Sequence, residues 1–187
     1  MQNEIIKSIL RVLPFLIVVV VIAVLIKKKK INPLEIDLQK PVFTGRFFTC
    51  IMAFAAYTLL TEFVLNKMEL LQVDAWRKSL LPSVIQIVGI VILAPVAEEL
   101  LFRGLVLSKL IKAGVNKHLA ILIISALFVA AHHFTYENTM AGNIGIVQSF
   151  VDAVLFSYAR FYTKSLFTSM AMHSFGNAVA VVERFIF

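Results

Sequence analysis

The sequence predicts an all-α membrane protein, a polytopic bundle of about six transmembrane helices, and three observations support this prediction. Hydrophobic residues make up 60% of the 187-residue chain and charged residues only 16%, against roughly 45–50% and about 25% in soluble domains. The mean hydropathy is +0.89. Long apolar segments recur, and basic residues cluster between them. This composition excludes a soluble domain, and it is too apolar for a disordered chain.

The first three predicted spans come from apolar segments in the first 111 residues. A spanning helix needs roughly 20 apolar residues, because the hydrocarbon layer is about 30 Å thick and each residue adds about 1.5 Å. Residues 12–26 form the first span, which ends at a run of four lysines, and residues 47–65 form the second. After a polar loop, the third span is one long helix over residues 81–111.

Three further spans follow in the second half of the chain. The fourth covers residues 118–134 and the fifth covers residues 144–159. The sixth covers residues 165–182 and is closed by Glu183 and Arg184. The only cysteine of the sequence, Cys50, lies in an apolar run, so a disulfide framework is excluded.

The distribution of Lys and Arg predicts the orientation, because cytoplasmic loops are enriched in these residues. With the run Lys27 to Lys30 inside, twelve of the eighteen Lys and Arg residues fall in inner segments and six in outer ones. Six spans then place both termini outside the cell membrane. The net charge of +7 is therefore explained by topology, and we expect no nucleic-acid partner.

Ionisable side chains within apolar segments are costly, so those of the third span indicate function. Glu99 and Arg103 lie four residues apart and form the favoured acid-before-base pair on one helix face. We expect both of them to be structural. Glu98 points about 100° away from Glu99 and has no partner on its own helix. An isolated carboxyl group in apolar surroundings suits a general base that works near neutral pH.

The fourth and sixth spans each carry a histidine at helical spacing from a second residue. Phe128 and His132 are four residues apart, so we expect the Phe128 ring to pack beside the imidazole and orient it. His173 and Asn177 are also four apart, and both can donate hydrogen bonds from one helix face. His133 points elsewhere and is the weaker candidate.

The depths of these residues allow them to meet. Glu98 and His173 lie near the middle of their spans, and His132 lies roughly 9 Å from the middle of its own, a gap that a modest tilt closes. One acid, two imidazoles and an amide are typical of an acid–base hydrolase. Glu98 would deprotonate water with help from His132, and His173 and Asn177 would donate to the carbonyl oxygen of the substrate.

A zinc site is the alternative use of the same residues. Glu98, His132 and His173 could bind zinc, which takes three protein ligands and a water in catalytic sites. The His-Glu-x-x-His pattern of zinc peptidases is absent from the sequence, and asparagine is a poor zinc ligand. We therefore favour a hydrolase that uses no metal and no other cofactor.

Three motifs, in order on three apolar segments, resemble those of a known family. The chain contains EExxxR over residues 98–103, FxxxH over 128–132 and HxxxN over 173–177. With these motifs it resembles the CAAX prenyl protease and bacteriocin-processing family, also called the Abi family. The resemblance divides the chain into an N-terminal part with two spans (1–79), a catalytic core (80–182) and a short tail (183–187).

The resemblance implies an intramembrane endopeptidase of the glutamate type. In that family the first glutamate of EExxxR and the FxxxH histidine activate water, and the HxxxN pair forms the oxyanion hole. Those roles fall on Glu98, His132, His173 and Asn177. The implied partners are a peptide or protein substrate in the membrane and the lipid bilayer. A short chain with six spans favours a bacterial member, and such members are linked to bacteriocin self-immunity or peptide maturation.

Two other functions stay open at this point. The first is a non-catalytic immunity or binding protein with the same fold. The second is an ion or proton transporter, since Gln148 and Asp152 lie four residues apart in the fifth span and acidic chains mark ion paths. Matched halves with broken spans would support a transporter, and the sequence contains no such repeat. The sequence makes no prediction of the oligomeric state.

Overall fold

The computed structural model describes residues 2–70, 73–132 and 139–186, and within these ranges the chain forms six helices and no β-strand. The protein is 84% helical. The prediction of an all-α membrane bundle is confirmed. The helices are α1 (Gln2–Lys27), α2 (Thr44–Lys67), α3 (Leu80–Lys112), α4 (Lys117–His132), α5 (Met140–Thr163) and α6 (Leu166–Ile186).

Four of the described helices, α1, α2, α3 and α5, are long and apolar enough to cross a membrane. The helix α4 is apolar but has 16 described residues, and α6 has 21 residues with a more mixed sequence. The chain is therefore a multi-pass membrane protein. The last two residues of the predicted fourth span, 133 and 134, lie outside the described residues, and the weaker candidate His133 lies there too.

Helix α1 begins at Gln2, before the predicted first span of residues 12–26, and contains that whole segment. Pro14 therefore lies inside the helix. Membrane helices tolerate an internal proline where neighbouring groups satisfy the carbonyl that it leaves free. Only Ser8 and Ile22 of α1 are buried, so most of this helix presents apolar side chains to lipid.

The long helix α3 is continuous, as predicted, but it contains two wider π-helical segments. These are Gly89–Leu93 and Glu99–Val106. Such insertions are uncommon and are often found at functional sites. The helix ends where Gly114 adopts a left-handed conformation with a φ of +88°, a geometry that favours glycine.

Helix α1 packs closely on the first half of α3. A Cβ atom at Gly89 would lie 2.2 Å from Cγ2 of Val12, so only glycine allows this approach. Beside that contact, Gln86 Nε2 donates a buried hydrogen bond of 2.8 Å to Ser8 Oγ. Helix α6 lies in the middle of the bundle and packs against α2, α3 and α5. This central position brings its polar face to the groups of α3.

The N-terminal and C-terminal helices come close to the same loop at one end of the bundle. At one end, the Trp76 amide donates to the Arg184 carbonyl at 2.8 Å, and Ser79 Oγ donates to the Glu4 carboxylate at 3.1 Å. The N- and C-terminal helices therefore meet at this end, which an even number of crossings requires. Which end faces the cytoplasm stays a prediction.

The charge count behind that orientation needs a correction. Arg103 is 0% exposed and Arg160 is 2% exposed, so neither lies in an inner loop where it could act as a topological signal. The inner segments then hold ten Lys and Arg residues against six in the outer ones. Both buried arginines instead bond to other parts of the bundle.

Candidate active site

The predicted site residues of α3, α4 and α6 surround one cavity of about 320 Å³ within the bundle. Glu98, His132, His173 and Asn177 all line it. Helices α2 and α5 close the remaining sides with further polar residues. The residues that the sequence placed on three separate spans are therefore brought together.

Glu98 lies between two imidazole rings. Its Oε1 is 3.6 Å from Nε2 of His132, and its Oε2 is 3.7 Å from Nε2 of His173. Both separations exceed the length of a direct hydrogen bond. Contacts of this length suit groups that share a water molecule. Since 12% of the Glu98 side chain is exposed, its carboxylate is open to the cavity.

The backbone of α4 fixes the orientation of His132. Its Nδ1 lies 2.7 Å from the carbonyl oxygen of Phe128, one helical turn earlier, so Nδ1 carries the proton and Nε2 faces Glu98. The ring centroids of Phe128 and His132 are 4.4 Å apart. The predicted packing of Phe128 beside the imidazole is therefore present, and its carbonyl group adds a contact that the sequence did not predict.

Glu99 and Arg103 form the ion pair that their spacing predicted. Arg103 Nη1 lies 2.9 Å from Glu99 Oε1, and both side chains are 0% exposed. The same Glu99 oxygen lies 3.0 Å from Nδ1 of His173. Glu99 therefore has a second task, because it orients the His173 ring and leaves Nε2 to face the cavity.

Arg103 connects this pair to the rest of the bundle. Its Nη2 donates to the carbonyl of Ala153 in α5 at 3.2 Å, and its guanidinium carbon lies 4.4 Å above the centre of the Phe128 ring. Phe128 thus contacts both a cation and an imidazole. These contacts hold α3, α4, α5 and α6 in register at the depth of Glu98.

Asn177 is held by the irregular part of α3. In the first π-helical segment the Ala94 amide donates to the carbonyl of Gly89, five residues earlier. The next bond in that register would run from residue 95 to Ile90, but Pro95 has no N–H to donate. Asn177 Nδ2 donates to the Ile90 carbonyl instead, at 2.8 Å. This bond places the amide beside the cavity and leaves its second hydrogen available.

The sequence interpretation missed Phe156 as a residue of the site. Its ring stacks on that of His173 with centroids 5.1 Å apart and an interplanar angle of 20°. Phe156 follows Asp152 by one helical turn and lines the same cavity. That spacing was the available signal, since Asp152 had been noted as an acid inside a span.

The metal alternative can be compared with the placement of these side chains. Across residues 2–70, 73–132 and 139–186, no group of three or more His, Cys, Asp or Glu side chains is arranged to hold a metal ion. The conditional ligand set of Glu98, His132 and His173 falls within these ranges. The donor types would suit zinc, and a reaction without a metal stays a prediction.

No curated protein and no solved structure matches the chain. The family model described as type II CAAX prenyl endopeptidase Rce1-like matches residues 80–179, a range that contains all three motifs and more than half of the chain. The resemblance predicted from those motifs is confirmed, and the chain belongs to the Rce1-like family of CAAX-type membrane proteases.

Proposed function

We propose that this protein is an intramembrane endopeptidase of the glutamate type. It hydrolyses a peptide bond of a membrane-associated peptide or protein. The observation that carries this proposal is the position of the Glu98 carboxylate, 3.6 Å and 3.7 Å from two imidazole nitrogens, beside a cavity among membrane helices. Deep ionisable groups of this kind are rare in membranes and usually functional.

The reaction begins with a water molecule between Glu98 and His132. Glu98 takes a proton from this water, and the water oxygen forms a bond with the carbonyl carbon of the substrate. His132 Nε2 accepts a hydrogen bond from the same water and orients it, because its Nδ1 is held by the Phe128 carbonyl. General-base assistance of this kind typically contributes about 100- to 10,000-fold in rate.

The negative charge that develops on the substrate oxygen is stabilised by α6. His173 Nε2 faces the cavity, and Asn177 has one amide hydrogen that the bond to Ile90 does not use. Both groups donate to the oxyanion, and the nearby Glu99 carboxylate balances a positive charge on the His173 ring. Preorganised donors are effective because they require no reorganisation when the charge appears.

The tetrahedral intermediate then collapses. The bond between carbon and nitrogen breaks, and Glu98 passes the proton that it took from water to the leaving amine. The products are a carboxylic acid and an amine, and Glu98 returns to its carboxylate form. These four residues supply the base and the donors, so we propose a reaction that needs no metal ion. The biological setting that we propose, bacteriocin self-immunity or peptide maturation, rests on the family resemblance.

We propose that the substrate carries an apolar segment next to the peptide bond that is cleaved. A second cavity of about 620 Å³ lies between α2 and α5 and is lined mostly by apolar and aromatic side chains. Phe54, Tyr57 and Leu155 are among them. The ring of Phe54 packs against that of Phe156, which lines the cavity of Glu98, with centroids 5.2 Å apart. An apolar segment bound in the second cavity therefore lies close to the proposed reacting groups.

The decisive experiment compares membrane peptides from cells that express the wild type, Glu98→Gln or Glu69→Gln. Glu69 is an exposed acid outside the cavity, so its variant is the matched control. We expect cleavage products with the wild type and Glu69→Gln and a fall of at least about 100-fold with Glu98→Gln. Equal products from all three would refute the proposal. A chelator should leave cleavage by the purified protein unchanged, and its inhibition would refute the metal-free reaction.

A further inference from the structure

The cavity of Glu98 is also lined by polar side chains of α2 and α5, two helices that supply none of the proposed catalytic groups. We call Thr58, Glu62, Gln148 and Asp152 the acidic wall. Thr58 and Glu62 are one helical turn apart on α2, and Gln148 and Asp152 are one turn apart on α5. Each pair therefore shares one face of its helix, and all four side chains line the cavity.

The two helices are joined within the acidic wall. Gln148 Nε2 donates to Glu62 Oε1 at 3.1 Å. Polar groups inside a membrane bundle must be paired. If these positions only had to pack the two helices together, apolar side chains would stabilise the contact better. The bond across the helices fixes the Glu62 carboxylate at the cavity surface. The wall is thus an ordered arrangement of side chains.

Two polar atoms of the acidic wall lack partners. Thr58 is 9% exposed, and its hydroxyl makes no hydrogen bond within the described part of the chain. Asp152 Oδ1 is inaccessible to solvent and has no hydrogen-bond partner there either. Buried polar atoms are nearly always paired in folded proteins. Both atoms are shielded from the open cavity, but the side chains that carry them line it, and rotation of each side chain lets the unpaired atom bond to a ligand there.

The charge of the cavity specifies the ligand. Three carboxyl groups line it, those of Glu62, Glu98 and Asp152, and no Lys or Arg is among its described lining residues. Arg103 is engaged with Glu99 beneath the cavity. In the proposed reaction the positive charge of His173, which also lines the cavity, is balanced by Glu99. The carboxyl groups of Glu62 and Asp152 therefore stay available to a cation that enters beside them.

We propose that the acidic wall is a specificity subsite that binds the cationic side chain of a Lys or Arg residue in the peptide substrate. Asp152 and Glu62 are the counter-ions of that side chain, and the Thr58 hydroxyl and the Gln148 amide oxygen accept its remaining hydrogen bonds. The inference deepens the proposed function and rests on it. It adds that cleavage occurs beside a basic residue at the boundary of an apolar segment.

The test measures binding and requires no turnover. Purified protein in detergent is titrated with N-octanoyl-lysine amide and with N-octanoyl-norleucine amide, which has a similar length but no charge. Thermal stabilisation gives the two affinities. We expect the wild type to bind the lysine probe about tenfold more tightly or better, since charged hydrogen bonds contribute more than neutral ones.

Variants on α2 and α5 test whether the preference for the lysine probe comes from the acidic wall. Asp152→Asn and Glu62→Gln keep the size of each side chain and should reduce the preference for lysine severalfold each. Asp74→Asn, which removes an exposed acid outside the cavity, should keep it. Equal or absent binding of the two probes by the wild type overturns the inference, and so does a preference that survives in both cavity variants.

The two proposals can fail separately. The proposed function fails if cleavage does not depend on Glu98. The probe titration measures binding without cleavage, so its result tests the acidic wall separately. If the proposed function holds, the peptides cut by the wild type should share Lys or Arg at one fixed position from the cut bond. A set of products without any basic residue near the cut contradicts the inference and leaves the catalytic proposal intact.

Discussion

Helix α3 takes part in two acid–base pairs, one at its middle and one at its C-terminal end, and the surroundings of the two pairs differ completely. In the middle, Glu99 and Arg103 are both 0% exposed and lie 2.9 Å apart. At the end, Lys112 pairs with Glu35, and their side chains are 58% and 49% exposed. The same kind of charge pair is therefore part of the interior in one region and part of the surface in the other.

The difference lies in what else each pair contacts. The middle pair holds His173 through Glu99 and the backbone of α5 through Arg103. A second arginine, Arg160, bonds to the carbonyl of Arg103 and to Asp37. The end pair joins only α3 to the turn Pro33–Ile36. Buried charges can thus fix the position of a reacting group, whereas an exposed pair has little to position.

The largest effect in this comparison is expected from Arg103→Leu. It leaves the Glu99 carboxylate buried without its cation, and breaking a buried pair in this way costs about 3–5 kcal/mol. Chemical unfolding in mixed micelles measures this loss. The double variant Glu99→Met, Arg103→Leu should recover much of the stability, because it leaves no unpaired charge, but it should stay inactive because His173 loses its support. Unchanged stability in Arg103→Leu would mean that burial does not distinguish the two regions.

The motif residues of this middle region could be predicted because their geometry is local. A spacing of four residues on a helix predicts the Glu99–Arg103 pair and the packing of Phe128 beside His132, whatever the rest of the fold. Contacts between helices are different, because they depend on the depth and rotation of each helix. The bonds from Glu99 to His173 and from Asn177 to Ile90 join residues 74 and 87 positions apart.

Other features of the site could not be predicted, because they depend on backbone geometry or on residues far away along the chain. The π-helical segments of α3 change which carbonyl is left free, and an apolar sequence gives no signal of this change. Pro95 was visible, but its effect depends on the local register. The polar residues of α2 in the cavity, Thr58 and Glu62, lie outside the matched family range of 80–179. No motif indicates them, and the available signal is that Glu62 is an acid within the apolar segment 47–65.

The second largest effect is expected from Asn177→Ala, at the boundary of the middle region. Loss of one oxyanion donor typically lowers the rate about 100- to 1000-fold. The variant also leaves the Ile90 carbonyl without its donor. Pro95→Ala restores a backbone N–H that can reach this carbonyl, so the double variant separates the two roles. Peptide cleavage and thermal unfolding together should show recovered stability but not recovered activity. Recovery of both would make Asn177 a purely structural residue.

The smallest effect is expected from Lys112→Ala, at the exposed end of α3. Water and salt screen a pair in which each side chain is about half exposed, so its loss should change stability by no more than about 1 kcal/mol. Chemical unfolding at low and high salt measures this change, and the small difference from wild type should vanish at high salt. Arg103→Leu should remain destabilised in the same salt, because its carboxylate partner is buried away from ions. If Lys112→Ala were as destabilising as Arg103→Leu, the turn that carries Glu35 would depend on this pair, and exposure would no longer explain the contrast within α3.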